Sequence, residues 1–186
     1  PAQSTPSQKS LILFGERGWD RLAFGRLRAG WPQVYSGFDL FKFPSNLRLC
    51  WLNFERYARL ASLQMRRHGA DSAHVNHTAV KVAGGATFTN IDFTRGGGLS
   101  RNEIQVQLLA EQAQANLYGT YLLRGQEHAD THTHIAHRAP ETYSREIYKG
   151  VVADSARGVF QGKIRVDQHA QKIEGHQLSR GLILSP

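Results

Sequence analysis

The last two thirds of the chain consist of short segments in which residues alternate with a period of two, and this pattern constrains the fold more than any other. From Ala73 onward the segments are rich in Thr, Val, Ile, Phe and Tyr, and clusters of Gly, Asp, Ser or Gln separate them. Such segments predict β-strands that are buried on one face. They read VNHTAVKV, ATFTNIDFT, IQVQLLA, ANLYGTYLL, REIYKGVVAD, ARGVFQGKIRV and QLSRGLIL. The stretch SRNEIQVQLLAEQAQA is interpreted as a strand followed by a turn.

A weak internal repeat runs through the same region. A large apolar residue, any residue and then Gly recur in the segments 148–150, 160–162 and 173–175, at intervals of 12–13 residues. Short strands at this interval favour a β-sandwich or a solenoid of stacked rungs, and the spacing alone leaves both open. In a solenoid, each rung buries its inward side chains against its neighbours. The repeated glycines are then expected at the corners, where the chain bends.

The basic residues are concentrated in the first third of the chain. The net charge is +8; residues 1–70 carry 11 Lys/Arg against 4 Asp/Glu, whereas residues 71–186 carry 12 against 11. All three tryptophans also lie in the first third. We therefore predict an atypical basic segment over residues 1–58 and a β-rich core over residues 59–186.

Two stretches of the basic segment have helical spacing of apolar residues. WDRLAFGRLRAGW has the pattern of a short amphipathic helix, although Gly25 and Gly30 weaken it. Residues 47–65 follow helical spacing more closely. The predicted fold is therefore mainly β, preceded by an irregular and partly helical N-terminal segment.

Composition excludes some classes of protein. The chain has no apolar run of 18 residues, which argues against a transmembrane helix, and its N-terminus lacks the apolar stretch of a signal peptide. The single cysteine, Cys50, rules out an internal disulfide framework and fits a reducing cytosol. We therefore expect a cytoplasmic protein.

The segment ADTHTHIAH (129–137) has the spacing of a metal site. In an extended strand, Asp130, His132 and His134 lie on one face, and His137 falls on the opposite face with the threonines. The first three could form a partial metal site, as in some non-haem iron enzymes on β scaffolds. The structural alternative is stronger: polar side chains of one rung hydrogen-bond to adjacent strands or to water. Asp130, His132 and His134 are thus weak metal candidates.

Four longer stretches resemble a known family. They are GGGLSRNE (96–103), YLLRGQEHADTHTHIAH (121–137), SREIYKGVVADSARGVFQGKIRV (144–166) and AQKIEGHQLSRGLILS (170–185). They are similar to the core of SufD-like members of the SufB/SufD family, which belongs to the SUF system of iron–sulfur cluster assembly. The resemblance covers about residues 60–185. It implies a right-handed parallel β-helix and a non-enzymatic scaffold that works in a complex with SufB and the ATPase SufC.

The chain also departs from that family. Members continue past the segment that corresponds to 182–185 with a Cys-Ser-His-Gly motif and a helical region that docks SufC, whereas this chain ends at Pro186. The chain is therefore interpreted as a partial SufD-like β-helix, and we expect a solenoid ending there to be marginally stable or to aggregate. Cys50 lies outside the matching region, and no P-loop motif occurs.

Three functional hypotheses follow. The first is a scaffold subunit with no catalytic and no cofactor-binding residue of its own, whose complex handles the cluster. The second is a metal-dependent β-fold enzyme that uses Asp130, His132 and His134. The third is a nucleic-acid-binding module based on the basic N-terminal segment, which we consider unlikely because no recognised motif accompanies it. No membrane partner is expected.

Overall fold

The computed structural model describes residues 10–14, 34–40, 45–53, 56–68 and 71–184, and these form twelve β-strands. The strands are β1 (Ser10–Phe14), β2 (Val34–Leu40), β3 (Ser45–Asn53), β4 (Arg59–His68), β5 (Ala73–Val82), β6 (Thr87–Gly96), β7 (Leu99–Leu108), β8 (Gln114–Leu123), β9 (His128–His137), β10 (Tyr143–Val152), β11 (Arg157–Val166) and β12 (Glu174–Ile183).

The strands form two six-stranded sheets. Sheet A has the order β1-β4-β6-β8-β10-β12, and sheet B has the order β11-β9-β7-β5-β3-β2. From β3 onward, successive strands alternate between the sheets, and neighbours within each sheet are parallel. Two strands therefore make one turn, and β4 to β11 form four turns of a β-solenoid. The mainly β, parallel β-helix class predicted from the sequence is confirmed, and the β-sandwich is excluded.

The alternation of side chains works as the sequence predicts. In β5, β7 and β9 every second side chain is buried between the sheets, while the others face outward. The apolar part of this interior forms two clusters, and in the larger one the two sheets contact each other. Its fully buried members include Val82, Phe88, Ile104, Leu108, Leu117 and Ile135. Burial of aliphatic and aromatic side chains at these positions holds the turns together.

One corner of the solenoid repeats the same backbone conformation in every turn. The residue two positions before each strand of sheet A from β4 to β12 has a positive φ of 55–67°. The amides of these residues donate to carbonyls of the next turn, as in Gly85 N–H to the Glu111 carbonyl at 3.0 Å. These stacked left-handed residues turn the chain from sheet B into sheet A. They are Tyr57, Gly85, Gln112, Glu141 and Lys172.

The repeated glycines do not lie at corners, and that expectation is wrong. Gly150 and Gly162 lie inside β10 and β11 and face the solenoid interior. A Cβ at Gly150 would lie 1.8 Å from a ring atom of Tyr121, and one at Gly119 would lie 2.1 Å from a ring atom of Tyr148. Gly150 and Gly119 therefore make room for aromatic rings on the neighbouring strand, whereas a Cβ at Gly162 would lie 1.9 Å from the Gln177 side chain.

The predicted helix over residues 47–65 is also wrong, because β3 and β4 occupy this stretch with a corner between them. Apolar side chains of β4 such as Leu63 and Met65 face outward, whereas Gln64 and Arg66 are buried. In β4 several outward residues are apolar and some of the buried ones are polar, which is the reverse of the usual pattern. The spacing of apolar residues over 47–65 therefore resembles that of a helix. WDRLAFGRLRAGW lies outside the described residues, and the domain boundary at residue 58 stays a prediction.

Candidate functional site

The histidine-rich segment is strand β9, which lies next to the edge strand β11 in sheet B. Its neighbours are β7 and β11, both parallel to it. Asp130, His132 and His134 face outward, and Thr131 and Thr133 are buried, as strict alternation predicts. The three weak metal candidates therefore share one face of one strand.

The carboxylate of Asp130 already has a cationic partner. Arg101 on β7 donates a hydrogen bond from Nη1 to Asp130 Oδ2 at 2.9 Å. The Nε2 atom of His132 lies 2.9 Å from the other oxygen. Burial, together with the cations of neighbouring residues, of which Lys163 contributes most, lowers the pKa of His134. These contacts suit a charged outer surface in which neighbouring strands neutralise each other.

Convergence of ligands is what a metal site requires. In the part of the chain that the structure describes, no group of three His, Cys, Asp or Glu side chains is placed to hold a metal ion. His137 faces the interior, away from His132 and His134. Whether β9 binds a metal in solution stays a prediction, and its test is given below.

His137 is fully buried and hydrogen-bonded on both ring nitrogens. The Thr142 hydroxyl donates to the Ala139 carbonyl at 3.1 Å, so it accepts from His137 Nδ1–H at 2.6 Å. Nε2 then accepts from the Ser144 hydroxyl at 2.9 Å. Burial lowers the pKa of His137, which agrees with a neutral ring. This histidine ties β9 to the corner and the strand that follow it.

The first turns of the solenoid enclose a polar network that the sequence pattern does not predict. The guanidinium of Arg66 forms a buried ion pair with Asp92 and also donates to Gln64 and Thr94. Asn102 donates to Asp92 Oδ2 at 2.5 Å. A charge pair with this many hydrogen bonds is tolerated in a core, because few of its polar atoms are left without partners.

A second buried carboxylate lies further along the interior, on β10. Glu146 is fully buried, and neither carboxylate oxygen has a hydrogen-bond partner among the described residues. Burial raises its pKa, and the nearby Thr133 side chain offsets part of that rise. Tyr148 is two residues further along the same face, with its ring stacked on Phe160 at 4.4 Å. Glu146 is therefore a group whose neutral form the fold favours.

The last turn presents an open end. In the described residues, β11 pairs only with β9, and β12 pairs only with β10. The inward side chains of this turn are correspondingly uncovered: Ile183 is 75% exposed and Val166 is 47% exposed. Within the described residues, this end combines apolar side chains with strand edges that pair with no other described strand, an arrangement to which a further strand pair can add.

A comparison with protein families supports this fold. The family described as "SUF system FeS cluster assembly, SufBD core domain" matches residues 46–186. The chain belongs to the SufBD core domain family. The match includes β9, both strands of the open end and also β3, which precedes the predicted boundary at residue 58.

Curated relatives of this SufBD core domain come from bacteria and plants. An iron–sulfur cluster assembly SufBD family protein of Synechocystis is 31% identical over 128 residues, which are 69% of this chain and 28% of the relative. Protein ABCI7, chloroplastic, of Arabidopsis thaliana is 29% identical over 71% of this chain and 28% of its own length. The iron–sulfur cluster assembly protein SufD of Escherichia coli is 29% identical over 72% of this chain and 31% of its own length.

The chain thus spans about three tenths of the length of these SufBD relatives. No solved structure matches it. None of the described residues forms a helix long and apolar enough to cross a membrane.

Proposed function

We propose that this SufBD core domain is a non-enzymatic scaffold unit for iron–sulfur cluster assembly, acting in a complex with SufB and the ATPase SufC. The observations that carry the proposal are the family match over residues 46–186 and the strand edges that β11 and β12 present within the described residues. The cluster is the cargo of the assembled complex, and ATP hydrolysis belongs to SufC. The role of the solenoid is to hold partner-binding strands in a rigid and repeated register.

The backbone of β12 offers hydrogen bonds to a partner strand. The amide of Glu174 donates to the Thr142 carbonyl at 3.0 Å, and the amide of Leu184 donates to the Val152 carbonyl at 2.9 Å. In a parallel ladder, alternate residues point their N–H and C=O groups to the same neighbour. Even-numbered residues of β12 therefore bond to β10, and odd-numbered residues such as Ser179 point towards the open edge. These groups support β-augmentation by a partner rung.

Proline at position 179 tests this interface. Proline lacks the N–H group, so Ser179→Pro removes one donor from the open edge without removing a bond to β10. We expect the variant to lose co-purification with co-expressed SufB and SufC by about tenfold, which corresponds to about 1.4 kcal/mol of binding free energy. The measurement is the fraction of chain that elutes with tagged SufB.

Ser179→Ala is the matched control, because it removes the hydroxyl and keeps the amide. It should elute with SufB as the unchanged chain does. Circular dichroism must show that both variants keep the β-sheet signal. If the chain never co-elutes, or if the proline and alanine variants co-elute equally well, the open end is not the site at which the partners bind.

The metal-enzyme alternative has a separate test. Under the scaffold proposal, the double variant His132→Ala and His134→Ala should leave both the co-purification and the metal content of the chain unchanged. Metal content is measured by mass spectrometry after extensive dialysis. A stoichiometric metal ion that the unchanged chain keeps and the double variant loses would instead favour a metal-dependent activity at β9.

A further inference from the structure

The outer faces of the two sheets differ in chemistry. Sheet B presents charged and polar side chains, among them the Arg101, Asp130 and His132 group described above. Sheet A presents exposed apolar side chains, and Met65, Ile91 and Leu122 are 54%, 43% and 39% exposed. Among the described side chains of the sheet B strands, no exposed large hydrophobic one lies on the outer face; Leu109, 44% exposed, comes directly after β7.

The apolar side chains of sheet A form a continuous line across the strands. The parallel register places one outward residue from each of five strands side by side. We call this line the apolar column: Leu63, Ile91, Tyr118, Ile147 and Leu178. Leu178 is on β12 at the open end, so it is exposed partly because no described strand follows β12 in the sheet. Ile91 and Tyr118 lie in the middle of the sheet, however, and nothing in the described structure covers their outer face.

Cations surround the apolar column. The described side chains on the outer face of sheet A include six Lys or Arg residues and one acid, Glu174. On β10, Arg145 and Lys149 flank Ile147 on its two sides, and on β12 Arg180 lies beside Leu178. Among the described side chains, no acid forms a salt bridge with Arg145, Lys149 or Arg180.

The cationic rim continues into a groove at one edge of this face. The groove has a volume of about 670 Å³. Three cations, Arg67, Arg95 and Arg124, line it against one acid, Glu127, together with aliphatic side chains that include Leu122 and Leu184. An apolar centre with a charged rim is the usual arrangement of a protein-binding surface. Because the net charge of the rim is positive, the surface favours an acidic partner.

We propose that the outer face of sheet A binds an acidic amphipathic helix of a partner protein. The aliphatic stripe of the helix packs on the apolar column, and Asp or Glu residues on both sides of the stripe contact the cationic rim. Five strands about 4.8 Å apart give a column about 19 Å long, which about 13 helical residues would span. The surface lies on the side of the solenoid rather than at its open end, so the inference goes beyond the proposed scaffold function.

The chemistry of the face selects this occupant over two others. A nucleic acid would use the cations but would stack its bases on aromatic rings, and four of the five column residues are aliphatic. A second copy of the chain would bring its own cations and only Glu174 as a described counter-charge on this face. An acidic helix satisfies both the apolar column and its rim.

Two designed peptides test the inference by fluorescence anisotropy. Both are labelled 18-residue helices with Leu at positions i, i+3, i+4 and i+7; one carries Glu beside the Leu stripe, and the other carries Lys. We expect the Glu peptide to bind the unchanged chain, and Ile147→Asp to weaken that binding at least tenfold. Val75→Asp, a half-buried outward position on sheet B, is the matched control and should bind normally. Ser179→Pro should also bind normally, which separates this surface from the open end.

A charge exchange provides the second arm. Arg145→Glu combined with Lys149→Glu should weaken the Glu peptide about fivefold to tenfold and should create binding of the Lys peptide. The proposal is overturned if the Glu peptide does not bind at 1 mM, or if Ile147→Asp and Val75→Asp weaken it equally. Two further outcomes would overturn it, each with the Glu peptide having no effect on the complex concerned. In the first, Ile147→Asp abolishes a dimer of the chain seen by sedimentation. In the second, Ile147→Asp abolishes binding of a labelled 20-nucleotide single strand.

Discussion

Gly150→Ala is expected to lower the free energy of unfolding by about 3 kcal/mol, the upper end of the range for overpacked cores. The added Cβ would lie 1.8 Å from Cε2 and 2.0 Å from Cζ of Tyr121. The ring has no room to retreat, because a Cβ at Gly158 on the other sheet would also lie only 2.5 Å from it. Tyr121 is buried among Leu123, Ala129 and their neighbours, so its displacement would disrupt that cluster as well. Urea unfolding measures the difference.

The register partner of Gly150 provides a matched control. Gly181 faces the same side of the next strand, and a Cβ there would meet no atom within 4 Å. Gly181→Ala should therefore leave the chain equally stable, or stabilise it by about 0.4–1 kcal/mol, because alanine restricts the unfolded chain. The same substitution thus has opposite expected effects at two paired positions. Equal stabilities of the two variants would show that Tyr121 adjusts and that the glycine is not required for packing.

These glycines mark the limit of what the sequence predicts about the fold. Alternation identifies strands β5 to β8 and β10 to β12, because each strand faces an interior on one side and solvent on the other. The pattern of a large residue followed by Gly is visible too. The structural role of that Gly cannot be seen in the sequence, because the ring that fills the space over Gly150 belongs to β8, 29 residues earlier. Only the parallel register brings the two together.

The corner conformations and the buried polar network could not be predicted from the sequence, for a related reason. Glycine occupies the repeated left-handed corner only at Gly85, whereas Gln112, Glu141 and Lys172 take the same conformation without a local signal. In β4, Arg66 is buried because Asp92 and Asn102 on other strands surround it. A residue whose partners are brought by distant strands cannot be placed by its own neighbours in sequence.

In the candidate site, too, the local pattern predicts which face a side chain lies on but does not predict its contacts with other strands. Strand alternation places Asp130, His132 and His134 on one face and His137 on the other, and in the structure these are the outer and the inner face. The salt bridge from Arg101 to Asp130 depends on register with β7 and is absent from the local pattern. This contact makes the segment look like a charged outer surface, whereas the two partner surfaces proposed above, the open end and the apolar column, have no comparable sequence motif.

Glu146→Gln is expected to stabilise the chain at pH 8 by about 1–3 kcal/mol, the usual cost of a buried polar group without partners. Both oxygens of Glu146 lack hydrogen bonds within the described structure, and burial raises the pKa of its carboxyl. None of these described neighbours is a cation: Leu117 and Gln177 are its register partners on the same sheet, Tyr148 follows on β10, and the Thr133 side chain offsets only part of the effect of burial. The amide keeps the shape of the side chain and removes the charge.

The pH dependence has a definite sign. Because the folded-state pKa of Glu146 lies above the unfolded value of about 4.3, its stabilising contribution is complete below that pH and is lost as the pH rises through the folded-state pKa. The advantage of Glu146→Gln should therefore be large at pH 8 and disappear near pH 4. Glu103→Gln is the control, because a hydrogen bond from Gln105 lowers the pKa of that outward carboxyl. It should destabilise the chain by at most about 0.5 kcal/mol at pH 8. A Glu146→Gln variant no more stable than the unchanged chain at pH 8 would mean that internal water or a bound cation already solvates the carboxylate.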